Sequence, residues 1–136
     1  MGVPEDQRKA AEVYTGQAVF SKKSMELMDE FGLPSGLLPL TGVEECGIVR
    51  ATGFIWIVLK KEMEHYFKLA GRKVSFGTEI TAVAASGQLK NITGIKAREM
   101  MLWVEVKAME VEQRKIRFRA LAGITRSFPV DCFAAV

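Results

Sequence analysis

Histidine occurs once in the 136 residues, as His65, and cysteine twice, as Cys46 and Cys132. One imidazole and two distant thiols offer no ligand spacing, so no metal site and no cofactor are expected. Two thiols in a chain of this length make no disulfide framework, and free buried thiols are expected. No apolar run approaches the roughly 18 residues of a membrane span. The start, Met1-Gly2-Val3-Pro4-Glu5-Asp6, lacks a basic region followed by an apolar one, so no leader is expected and the cytoplasm is the expected location. Gly2 does not read as a myristoylation site, because Asp6 stands where serine or threonine is needed. Charge of one sign is also scarce: 19 basic and 16 acidic residues leave a net +3, too little to imply nucleic acid.

What is present is apolar. Hydrophobic residues make up 49% of the chain, which excludes a disordered protein and suffices for a single domain over 1–136 with a core of its own. The most telling segment is Phe54-Ile55-Trp56-Ile57-Val58-Leu59, six apolar residues in a row. A strand with one wet face alternates; an unbroken β-branched and aromatic run of this length implies a strand covered on both faces. Either protein or an apolar ligand must supply the second cover.

Around that strand the signals sort into two regions. Residues 1–32 read as helical. Pro4-Glu5-Asp6 opens a helix predicted to run through Tyr14 to Gly16, and a second is predicted from Ser21 or Ser24 to Phe31, with Gly32 at its end. Pro34 and Pro39 keep the segment between them from being helical. Residues 36–133 read as antiparallel β-structure, a curled or barrel-like sheet. Strands are predicted over 47–50, 54–60, 61–69, 74–85, 88–95, 100–111, 115–121 and 126–133. Hairpins are predicted at Ala51-Thr52-Gly53 and Ser86-Gly87, and turns at Gly71-Arg72-Lys73 and Gln113-Arg114. The fold class expected is mainly β with N-terminal helices.

An ordered set of short motifs runs through the same region: Gly36-Leu37-Leu38-Pro39, Thr52-Gly53-Phe54-Ile55-Trp56, Gly77-Thr78-Glu79-Ile80-Thr81-Ala82, Thr93-Gly94-Ile95-Lys96-Ala97-Arg98 and Arg126-Ser127-Phe128-Pro129-Val130. In order and spacing they resemble the plant family called domain of unknown function 538, in its soluble, leaderless branch. The resemblance implies a mostly β, barrel-like domain. That family is likened to the lipid-binding bactericidal/permeability-increasing proteins, and hydrolysis of chlorophyll is also proposed for it. Ile48 departs from the pattern, where an aromatic residue follows Gly47 in the family, and the turn over 49–51 is less acidic. The resemblance supplies no catalytic residues.

Three constellations bear on activity. Ser35 in Gly32-Leu33-Pro34-Ser35-Gly36 lacks the glycine two before it that a nucleophile elbow requires. An esterase would use His65 as base, oriented by Asp131 or a glutamate, with Ser35, Cys46 or Cys132 as nucleophile. Between Glu112 and Asp131 lie Arg114, Lys115, Arg117, Arg119 and Arg126 without an acid. On a strand Lys115, Arg117 and Arg119 share one face, either plainly solvated or a patch for phosphate groups such as an anionic lipid headgroup. No aromatics interleave there, which argues against nucleic acid. Finally, seven methionines and two tryptophans are either core or the lining of a pliable pocket formed by Trp56, Trp103, Met100, Met101 and Met109. The expectation is a non-catalytic binder of a hydrophobic, anionic small ligand, a lipid or chlorophyll derivative. Trp56, Trp103 and Met101 would meet its apolar part, and Arg117 and Arg119 its charge. A weak esterase on chlorophyll-like esters and a protein–protein module stay open as alternatives.

Overall fold

The computed structural model describes residues 3–134, so both ends of the expected 1–136 span lie outside the described residues. Its elements in chain order are α1 (Glu5–Lys9), β1 (Glu12–Thr15), α2 (Gln17–Glu30), β2 (Val43–Val49), β3 (Phe54–Leu59), β4 (Met63–Phe67), β5 (Arg72–Ala85), β6 (Gln88–Glu99), β7 (Leu102–Glu112), β8 (Lys115–Ala120) and β9 (Thr125–Pro129). All pairings are antiparallel, in the order β1-β2-β3-β5-β6-β7-β8-β9, with β4 beside the first half of β5. The mainly β expectation holds, and the barrel-like curl takes the form of an open sheet, in which β1 and β9 are the two ends of the path.

The first predicted helix is corrected. α1 stops after five residues, and Val13 and Tyr14 enter a strand, with Tyr14 opposite Cys46. β-Branched and aromatic residues favour that pairing, and Gly16 at φ 91 turns the chain into α2. α2 therefore starts four residues before Ser21. The Gly71-Arg72-Lys73 turn also moves, because Arg72 and Lys73 already pair with Phe67 and Tyr66. The last predicted strand ends at Pro129 and gives way to a 3₁₀ turn over Val130–Phe133.

Irregularities curl the sheet. Within β6, Asn91 (φ 53) and Gly94 (φ 86) interrupt the alternation, so Leu89, Ile92 and Ile95, three residues apart, are all buried. A register shift between Val106 and Ala108 does the same in β7. It buries both Val106 and Met109, which strict alternation assigns to opposite faces.

The inner face is covered by the chain itself. Phe20 and Met28 of α2, Leu33, Leu37, Leu38 and Leu40 of the following segment, and Phe133 near the C-terminus join one core with Ile55, Ile57, Phe76 and Ile80. Phe133 stands 5.0 Å from Phe67 and 5.2 Å from Phe118, ring centre to ring centre. The Gly36 amide donates to the Phe133 carbonyl at 2.8 Å, tying the proline-bounded segment to the C-terminal turn. β3 is thus covered twice by protein. Ile55, Ile57 and Leu59 face the core, while Trp56 points the other way with its ring over Gly47 and the Arg8 guanidinium 5.5 Å from the ring centre.

Candidate functional site

One end of the sheet is built from strand termini and turns. β4 passes into β5 there, and Val74, Ala97 and Val104 line up across β5, β6 and β7. β8 leaves and β9 returns at the same end, since Ala120 pairs with Val106. The inward residues of these termini enclose an apolar cleft whose walls include Val74, Ala97, Val104, Met109, Phe118 and Phe128, with Phe76 and Phe133 deeper. Its only charged lining residues among those described are Arg72, Glu99 and Arg126. The Arg72 guanidinium lies 5.6 Å from the Phe128 ring centre, and Arg126 donates to Glu99 at 2.8 Å.

The free space at the centre of the cleft is about 50 Å³. Preformed sites for drug-sized molecules run to roughly 300–1,000 Å³, so a guest enters only by moving side chains. Phe118, Phe128 and Val104 are partly buried, and each has a rotamer-bearing side chain at the periphery of the core rather than at its centre.

The residues singled out from sequence are spread over other surfaces. Trp56 is fully buried on the outer side of β3, where its Nε1 donates to Glu45 at 2.9 Å. Glu45 also accepts two hydrogen bonds from Arg8, at 2.6 and 3.0 Å. The Arg8 guanidinium, and secondarily the Trp56 indole, hold the Glu45 carboxyl below its usual pKa against the opposing effect of burial. Trp103 lies on the outer face opposite Arg98, which stacks on its ring at 5.4 Å. Met100 and Met101 protrude at the β6–β7 turn, and of the proposed pocket residues only Met109 lines the cleft. Arg117 is paired with Glu110, and Arg119 is exposed on the same face of β8. Apart from Met109 and Arg126, the cleft residues are not singled out by the sequence. Their signal is the inward half of each alternating strand end, which looks the same as ordinary core.

Ser35, His65 and Cys132 come from three separate elements and line another, more open cleft of about 420 Å³, between α2, the proline-bounded segment and β4. The His65 ring packs edge-on to Phe67 at 4.6 Å, and no carboxylate is among the described lining residues. Cys46 is buried elsewhere, its thiol pushed up to about 11 chiefly by loss of solvent. No group of three or more potential metal ligands occurs among the described residues. No helix among them is long and apolar enough to cross a membrane.

Neither the curated proteins nor the solved structures contain a match to this chain. The family comparison does: residues 24–134, covering the second half of α2, the proline-bounded segment and every strand that forms the cleft, match the model described as a protein of unknown function, DUF538, and the chain belongs to that family.

Proposed function

We propose that the protein is a non-catalytic binder of a hydrophobic molecule carrying an anionic group, received in the cleft at the open end of the sheet. The observation that carries this reading is the composition of the wall: apolar except for the guanidinium groups of Arg72 and Arg126 and the Glu99 carboxylate that Arg126 holds, so its cations outnumber its acid two to one. Burial of an alkyl chain against such a wall is favourable by about 0.8 kcal/mol per methylene, and a guanidinium suits a carboxylate or phosphate head. The limited free volume favours a slim chain over a rigid macrocycle, because side-chain rotation opens a slot more readily than a broad chamber. Of the residues first put forward, Arg119 on β8 is the one near this end able to add charge, while Trp103 and Met101 border it from outside.

The test is thermal unfolding in the presence of dodecyl phosphate and, separately, dodecanol. Dodecyl phosphate is expected to raise Tm more than dodecanol, and Arg72→Gln with Arg126→Gln should erase the difference. Equal shifts from both ligands in the unmodified protein would remove the role assigned to the arginines. No shift from either would remove the site.

The convergence of Ser35, Cys132 and His65 on one cleft favours a second reading, a weak esterase. Hydrolysis of p-nitrophenyl butyrate by the purified chain, lost in His65→Ala, is its expected signature. Turnover unchanged by that substitution would eliminate His65, the chain's single histidine, as the base.

A further inference from the structure

The four most exposed large apolar side chains among the described residues are Met100 (87%), Met101 (81%), Leu69 (74%) and Leu102 (69%). They come from two turns distant in sequence, β4–β5 and β6–β7, yet strand pairing brings both to the open end of the sheet. Leu121, also exposed, comes to the same end from the β8–β9 connection. Local structure does not require this. Two-residue hairpin turns favour asparagine and glycine, and Met100 sits at φ 57, a conformation that suits those residues better than methionine. The side chains contribute little to the core and face solvent.

The surrounding charge is one-sided. Segments 68–72, 98–102 and 119–126 carry Lys68, Arg72, Arg98, Arg119 and Arg126 against a single carboxylate, Glu99, which Arg126 already holds. Those three segments together carry +4 (five cations, one acid) against +3 for the whole chain, and the neighbouring Glu105 is paired with Lys107, so positive charge is concentrated beside the apolar tips. Trp103 follows directly, half-buried beneath Arg98. Protruding methionine and leucine tips, a ring of guanidinium groups and a tryptophan at their base match the layering of a bilayer surface, with acyl chains below anionic headgroups.

We propose that this end of the sheet docks on bilayers containing anionic lipid, the turn Met100-Met101-Leu102 entering the acyl boundary while Lys68, Arg98 and Arg119 meet headgroups. This goes beyond the cleft reading and stands without it, since docking needs no guest in the cleft.

The test is co-sedimentation of the full chain with vesicles of phosphatidylcholine alone and of equal parts phosphatidylcholine and phosphatidylserine, with tryptophan emission read in parallel. The expected result is binding to the mixed vesicles, weakened by salt, with a blue shift that disappears in Trp103→Phe while binding remains. Trp56, fully buried, contributes no shift. Joint replacement of Met100, Met101 and Leu102 by serine should lower partitioning roughly tenfold or more, and Lys68→Gln with Arg119→Gln should remove the preference for phosphatidylserine. Ala97→Trp, which fills the cleft, should leave sedimentation unchanged, so failure of the cleft reading and failure of docking register separately. Protein that stays in the supernatant with mixed vesicles, or that binds equally well with all three tips replaced, overturns the proposal.

Discussion

Gly47→Ala puts two opposing effects on one residue. In a strand interior, exchanging glycine for alanine is ordinarily favourable by about 0.5–1 kcal/mol, because the unfolded chain loses freedom. Here a Cβ on Gly47 would lie 2.4, 2.4 and 2.8 Å from three atoms of the Trp56 ring. The ring has no exposed surface to retreat into, and its Nε1 is held by Glu45. Overpacking of this kind costs about 1–3 kcal/mol, so the clash wins and the net loss is about 1–2 kcal/mol. For a chain of this length that is a fall in Tm of roughly 3–8 °C. Urea unfolding monitored by circular dichroism reads the loss directly. The diagnostic partner is Trp56→Leu, which removes the ring. In that background Gly47→Ala should be neutral or stabilising, giving a coupling of about 1–3 kcal/mol in the double-mutant cycle. If Gly47→Ala stabilises the protein with Trp56 intact, the outer cover of β3 is wrongly described and the reasoning fails.

Other consequences are independent of this one. Glu45 has a folded pKa below its unfolded value, so the stability it contributes is present above the ordinary carboxylate range and drains away as pH falls through the lowered value. Acid unfolding curves of Glu45→Gln should therefore be flatter on the low-pH side than those of the unmodified protein, and superimposable curves would deny the Arg8–Glu45–Trp56 link. Iodoacetamide at pH 8 should modify Cys132 first and reach Cys46 only on unfolding, because Cys46 is buried and its thiol is raised to about 11; peptide mapping that finds equal rates would contradict its placement. Gly36→Ala sets a Cβ 2.6 Å from the Phe133 carbonyl oxygen and 2.9 Å from the Ala134 backbone. It should detach the C-terminal turn from the proline-bounded segment and destabilise by about 1–3 kcal/mol, with faster proteolysis at the C-terminus as the accompanying sign.

Much of the sheet was legible because alternation, turn chemistry and the Phe54–Leu59 run each report local physics. The Ser86-Gly87 hairpin and the inward face of β8, with Ile116 and Phe118, follow from period-two patterning alone. Three features did not follow. β1 interrupts the helical N-terminus because its pairing partners in β2 lie 30 to 36 residues away, and local propensity carries no trace of them. The irregularities of β6 and β7 break alternation, so period-two patterning does not place Ile92 on the inner face with Leu89, or Met109 with Val106. Trp56 looked like a ligand platform, yet its place was decided by the absence of a side chain at Gly47 across the ladder. The cleft and the apolar tips share a similar origin. Each is assembled from strand ends far apart in sequence, so only the pairing order brings Leu69 to the same end as Met100, or Val74 into register with Ala97.

The most direct test of the account is native mass spectrometry of the purified chain offered palmitate, beside Ala97→Trp treated identically. The cleft reading predicts a one-to-one adduct on the unmodified protein that is lost on denaturation and is missing from the filled variant. No adduct on the unmodified protein, or the same adduct on both, would contradict it.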